Sequence, residues 1–145
     1  MYEGIVKRHR PRGWRVCYSK RKDAALEYVR KHPRCEPKQD IACAEPSKRT
    51  IYAPHTVDPF SLQILLHEFG HVHLHHWDQG KSVEHREEFE AERWAMEIMR
   101  MEGVKVPRIG MSRAKLYVRS CIKSDEELGH VIHSPAKKFV EKHNV

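Results

Sequence analysis

Residues 58–76 read DPFSLQILLHEFGHVHLHH. Asp58 is a capping side chain and Pro59 suits a first helical turn, so the stretch opens a helix predicted to run to about His76. Within it His67, Glu68 and His71 form an HExxH spacing. Residues four apart on a helix are offset by only about 40° and about 6 Å of rise, so both imidazoles project from one face and can close on one metal ion. Glu68 lies about 100° from His67, close enough to reach a water held by that ion without being a ligand. The spacing supplies two ligands and a base.

The remainder of the helix supports that reading. Leu62, Leu65, Phe69 and Val72 fall on the side opposite the two His and should pack on a core, while Phe60 and Ile64 should shield the front from bulk water. Two His in one row of such a helix are costly to bury without a partner. A catalytic zinc takes three protein ligands and keeps a fourth position open. His75 continues the row but stands about 12 Å from His67 along a straight helix, so it is expected to support a ligand His from behind. A metzincin would need glycine at 74 and histidine at 77, where Leu74 and Trp77 stand. His73, His76 and His85 are expected at the surface or behind the ligands.

A second helix is predicted from about Val83 to Met101, stopped near Gly103. It offers Glu84, Glu87, Glu88, Glu90, Glu92 and Glu97 beside an apolar stripe of Ala91, Trp94, Ala95 and Ile98. Glu87 and Glu88 lie within or at the edges of that stripe and Glu90 on a shoulder. Periodicity alone does not choose the third ligand among them.

The run His67-Glu68-Phe69-Gly70-His71, then His75, then Glu88-Phe89-Glu90-Ala91-Glu92-Arg93-Trp94-Ala95 resembles the ImmA/IrrE family of small zinc metallopeptidases, over roughly residues 50–100. In that family an HELGHxxLH-like helix is followed by one reading E-x-x-A-[ND]-x-F-A. The resemblance implies an α+β, zincin-like fold, with Zn²⁺ held by His67, His71 and Glu88, and Glu68 as general base for peptide-bond hydrolysis in a peptide or protein substrate. It puts Glu92 at the Asn/Asp position that orients a ligand His. It also implies that the strand before the metal helix, Thr50 to Ala53, binds substrate by edge pairing. Three departures bear on Glu92 and on the cleft: Glu92 is longer than Asn or Asp, Trp94 replaces Phe, and EIMRMEGVKVP stands where LLMP is usual. Tyr52, His55 and His85 are the candidates for stabilising an oxyanion.

Outward from these helices, 145 residues amount to one domain, read as 1–145. Hydrophobic residues at 39% and a mean hydropathy of −0.75 describe a foldable polar chain and exclude a membrane protein. With no apolar run of about 18 residues and no secretory h-region, the chain is expected in the cytoplasm. Cys17, Cys35, Cys43 and Cys121 contain no C-x-x-C pair and are expected as thiols, a Cys35–Cys43 bridge being the alternative. Cys43 also lacks the glycine-rich context of a deformylase ligand.

Further elements are a strand over Trp14 to Tyr18, a helix over Asp23 to His32 and a hairpin of Ile41 to Ala44 with Thr50 to Ala53. A helix over Ser112 to Lys123 capped by Ser112, and a short one from Ser134-Pro135, complete the set. The net charge of +7 concentrates at the ends, with eight Lys or Arg in residues 1–22 against one Glu. A nucleic-acid partner through RHRPRGWR and the Ser112 helix is the competing reading, as is a zincin fold without turnover; a solubilising charge excess is preferred over nucleic-acid binding.

Overall fold

The computed structural model describes residues 2–19, 31, 41–77 and 83–142. The fold is α+β: a three-stranded mixed sheet and five helices among the described residues. The predicted helix over Asp23 to His32 falls almost wholly outside them, as does Cys35.

Helix α1 (Glu3–His9) was not expected from the sequence; it is held by burying Ile5 and Val6 against the core. Strand β1 (Arg15–Tyr18) matches its predicted span closely. Strands β2 (Cys43–Glu45) and β3 (Thr50–Ala53) form the expected antiparallel pair, joined by a 3-10 turn at Pro46–Lys48 and left-handed Arg49 at φ 46°. Strand β1 lies parallel to β3 on its other side, giving the order β1-β3-β2.

Helix α2 (Pro59–His73) starts where predicted. The Asp58 carboxylate accepts from the Ser61 N–H at 2.8 Å, and the Ser61 side chain bonds back to the Asp58 backbone, closing a capping box. The helix ends three residues before the predicted His76. His75 takes a left-handed φ of 54°, the His76 N–H donates to the His71 carbonyl and the His75 N–H to that of Val72, both at 3.1 Å. This is a Schellman ending, with histidine where glycine is usual.

Helix α3 (Glu84–Met101) follows, and the chain turns at Gly103, φ 75°. Helix α4 (Arg108–Glu127) begins four residues before the predicted start, so Ser112 lies inside it and caps nothing; the chain enters the helix straight from Pro107. Helix α5 (Ser134–Glu141) carries its proline in the first turn, as expected.

The main core joins Leu62, Leu65, Leu66 and Phe69 of α2 to Ile51 of β3 and to Ala95 and Met99 of α3, all fully buried. A second cluster, Phe89, Val118, Ile122, Ala136 and Val140, ties α3 to α4 and α5. Helices α2 and α3 cross at Gly70. A Cβ there would stand 3.2 Å from the Ala91 carbonyl oxygen and 3.3 Å from the Trp94 ring, so the missing side chain sets how near the helices come. No helix among the described residues is long and apolar enough to cross a membrane.

Candidate metal centre

The capping box fixes where α2 starts and therefore which way its row of His faces; the Gly70–Ala91 crossing lays the first turns of α3 across that row. Three donor atoms converge there. Glu88 Oε2 lies 2.9 Å from His67 Nε2 and 3.2 Å from His71 Nε2, and the two Nε2 atoms are 3.1 Å apart. A tetrahedral ion with bonds of about 2.0–2.1 Å holds its ligand atoms about 3.3 Å apart, so the triangle has the size of one face of such a site. Two imidazole nitrogens and one carboxylate oxygen are also a donor set that zinc accepts. The residues fit the ion, and among those described this is the group able to hold one. Of Glu87, Glu88 and Glu90, it is Glu88 that the fold brings to the two imidazoles. Glu87 lines the neighbouring cleft, and Glu90 lies beyond the triangle, beside His76.

Both imidazoles are held from behind. His67 Nδ1 is 2.9 Å from Glu92 Oε1, an ion-pair contact rather than an in-line hydrogen bond. His71 Nδ1 is 2.7 Å from His76 Nδ1. His76 is buried at 4% exposure, whereas His75, expected in the supporting role, is exposed. The correction follows from the early end of α2: left-handed His75 reverses the chain and turns the next ring inward.

Electrostatics follow the contacts. For Glu88, burial alone would raise the carboxyl pKa, but hydrogen bonds with His67 and His71 outweigh it and hold the group well below the usual carboxylate range. For His67, burial opposes the charged form and is outweighed by the Glu92 charge and by contacts with Glu88, so its pKa stands well above 6.5. Burial, then neighbouring His71, lowers that of His76.

The triangle opens into a cleft of about 290 Å³. Glu68, 9% exposed, lies on its wall beside His67 and His71, with Trp77, Tyr117 and Ala42 to Ala44 around it. Trp77 stacks on Trp14 with ring centroids 6.0 Å apart, and Tyr117 meets His67 edge-on at 6.4 Å. Tyr117 carries no signal in the sequence, because α4 brings it to the cleft from a distant part of the chain.

The three oxyanion candidates do not line the cleft. Tyr52 is exposed on the sheet and His55 stacks on Tyr18. His85 is fully buried elsewhere: its Nδ1 lies 2.6 Å from Asp125 Oδ2, and its Nε2 accepts from the His133 N–H at 2.9 Å. Strand β3 is not the edge expected at Thr50 to Ala53, because β1 and β2 occupy both its sides. The strand beside the cleft is β2. No family model, curated protein or solved structure matches this chain.

Proposed function

We propose that the protein is a zinc-dependent metallopeptidase of the ImmA/IrrE kind, with a zincin-like fold and a peptide or protein as substrate. The observation that carries this reading is the triangle of His67, His71 and Glu88 with Glu68 on the wall of the same cleft. His67, His71 and Glu88 would hold the zinc ion, which would supply Lewis acidity toward the reacting oxygen.

The chain's own groups do the rest. Glu68 accepts a proton from the attacking water as its oxygen bonds to the peptide carbonyl carbon, then returns that proton to the nitrogen as the C–N bond breaks. Glu92 and His76 keep the two imidazoles aimed at one point. Helix α2, apolar on its far side, limits water behind the donors. An extended substrate is best received along β2, because Ala42, Cys43 and Ala44 line the cleft. Main-chain pairing on a strand edge leaves substrate side chains to alternate into and out of the site.

Metal analysis and peptidase assays of four proteins test this. The unsubstituted chain should carry about one zinc, and His67→Ala and Glu88→Ala should lose it. Glu68→Gln should keep zinc and lose hydrolysis of unstructured peptides. Unchanged hydrolysis in Glu68→Gln would sink the mechanism, and an unsubstituted chain that holds zinc without hydrolysing any peptide would identify a zincin fold without turnover.

A further inference from the structure

His76 reaches the donors from a direction that HExxH spacing does not specify. The turn at His75 brings its ring against His71, with centroids 5.0 Å apart and Nδ1 atoms at 2.7 Å. Two neutral ring nitrogens in contact share one proton, so one ring donates and the other accepts. The far side of His76 decides which.

There, Nε2 belongs to a side chain 2% exposed and faces Glu90 Oε2 at 3.7 Å. It makes no hydrogen bond among the described residues. The distance is long for a hydrogen bond, so the attraction is electrostatic. A carboxylate only accepts, so the side facing Glu90 favours the proton of His76 on Nε2 and leaves its Nδ1 as an acceptor. A metal held at the triangle would take the Nε2 lone pair of His71 in place of any proton shared there with Glu88, leaving the proton of that ring on Nδ1, where His76 Nδ1 receives it. With the proton of His76 on Nδ1 instead, two donors would meet at 2.7 Å. Glu90 is itself fixed by the Arg86 Nε–H at 2.9 Å.

We propose that His76, oriented by Glu90, is a positioning residue that fixes the tautomer and ring angle of His71 for metal binding. The proposal rests on the zinc-site reading above. Partners of this kind typically change metal affinity by about 10–100-fold.

The experiment measures Zn²⁺ affinity by chelator competition in the unsubstituted protein, His76→Leu and His76→Asn, alongside the unfolding midpoint of each metal-free form. Leucine keeps bulk without an acceptor; asparagine restores an acceptor oxygen. His76→Leu should bind zinc about 10–100-fold more weakly, and His76→Asn should recover most of that loss. Equal affinity of His76→Leu and the unsubstituted chain, or an asparagine variant as weak as the leucine one, overturns the proposal. Should the leucine variant not fold, long-range ¹H–¹⁵N spectra of the zinc-loaded unsubstituted chain still decide: His76 protonated on Nε2, with Nδ1 as the acceptor, supports the assignment, and His76 protonated on Nδ1 overturns it. A chain that binds no zinc at all would refute the metal site itself, a separate outcome that the affinity of the unsubstituted protein reads directly.

Discussion

Glu92 has one methylene more than the Asn or Asp of the pattern it resembles, and the extra length is used: its Oε1 reaches His67 Nδ1 at 2.9 Å. Glu92→Ala should weaken zinc binding by about 10–100-fold, and Glu92→Gln by nearly as much, because the contact is ionic and glutamine removes the charge. Calorimetric titration of both variants checks this: a Gln variant that binds as tightly as the unsubstituted chain would show that the charge does not hold His67. His67, Glu68 and His71 were legible in the sequence because their relation is internal to one helix. By periodicity Glu88 was not separable from Glu87 and Glu90, since that choice depends on the angle between two helices; only the resemblance named it. His76 was expected at the surface or behind the ligands but ranked below His75 for another reason: on a continued helix it would stand about 140° from His71, and only the end of the helix turns it back.

Among the elements, the α2–α3 crossing does most to build the site. Gly70→Ala gains about 1 kcal/mol of helix propensity, but its Cβ meets the Ala91 backbone and the Trp94 ring at 3.2–3.3 Å. A metal site tolerates displacements of only about 0.5 Å, so this variant should keep its helical circular dichroism while losing about tenfold or more in zinc affinity. Unaltered affinity would show that the helices accommodate the methyl without moving the donors. Local signals served well where a cap or proline marks an element, as at Asp58-Pro59 and Ser134-Pro135. They missed α1 and set the start of α4 four residues late; neither start carries a side-chain cap. The central place of β3 was also beyond them: pairing with β1 is a contact between residues 35 apart in the chain, such as Arg15 with Thr50, and alternation along either strand does not report it.

At the scale of the whole molecule, two ties fasten α1 and α4 to the ends of α3. Asp125 accepts from both the ring and the backbone N–H of His85, linking α4 to the start of α3. At the other end, Glu102 accepts from Arg8 and lies 2.8 Å from His9 Nε2, docking α1. Those hydrogen bonds, from Arg8 first and then His9, draw the Glu102 carboxyl from 4.5 down to about 2. A carboxyl whose folded pKa is depressed adds stability that is complete above its unfolded value and lost as pH falls through the folded one. The contribution should therefore be full above pH 4.5 and gone below about pH 2. Unfolding midpoints of the unsubstituted protein and Glu102→Gln should differ at neutral pH and converge across that window; parallel acid profiles would exclude the contact as a source of stability.

The donors come from two helices, so a bound ion would also be a cross-link. A ligand that binds only the folded chain adds about 2.7 kcal/mol at a hundredfold excess over its dissociation constant. Melting temperature should accordingly climb with free zinc and fall with a chelator, and a melting temperature indifferent to zinc would deny the cross-link. In a cell, the same coupling would make the survival of this chain against proteolysis a function of metal supply, so that its abundance, and not only its activity, would follow zinc availability.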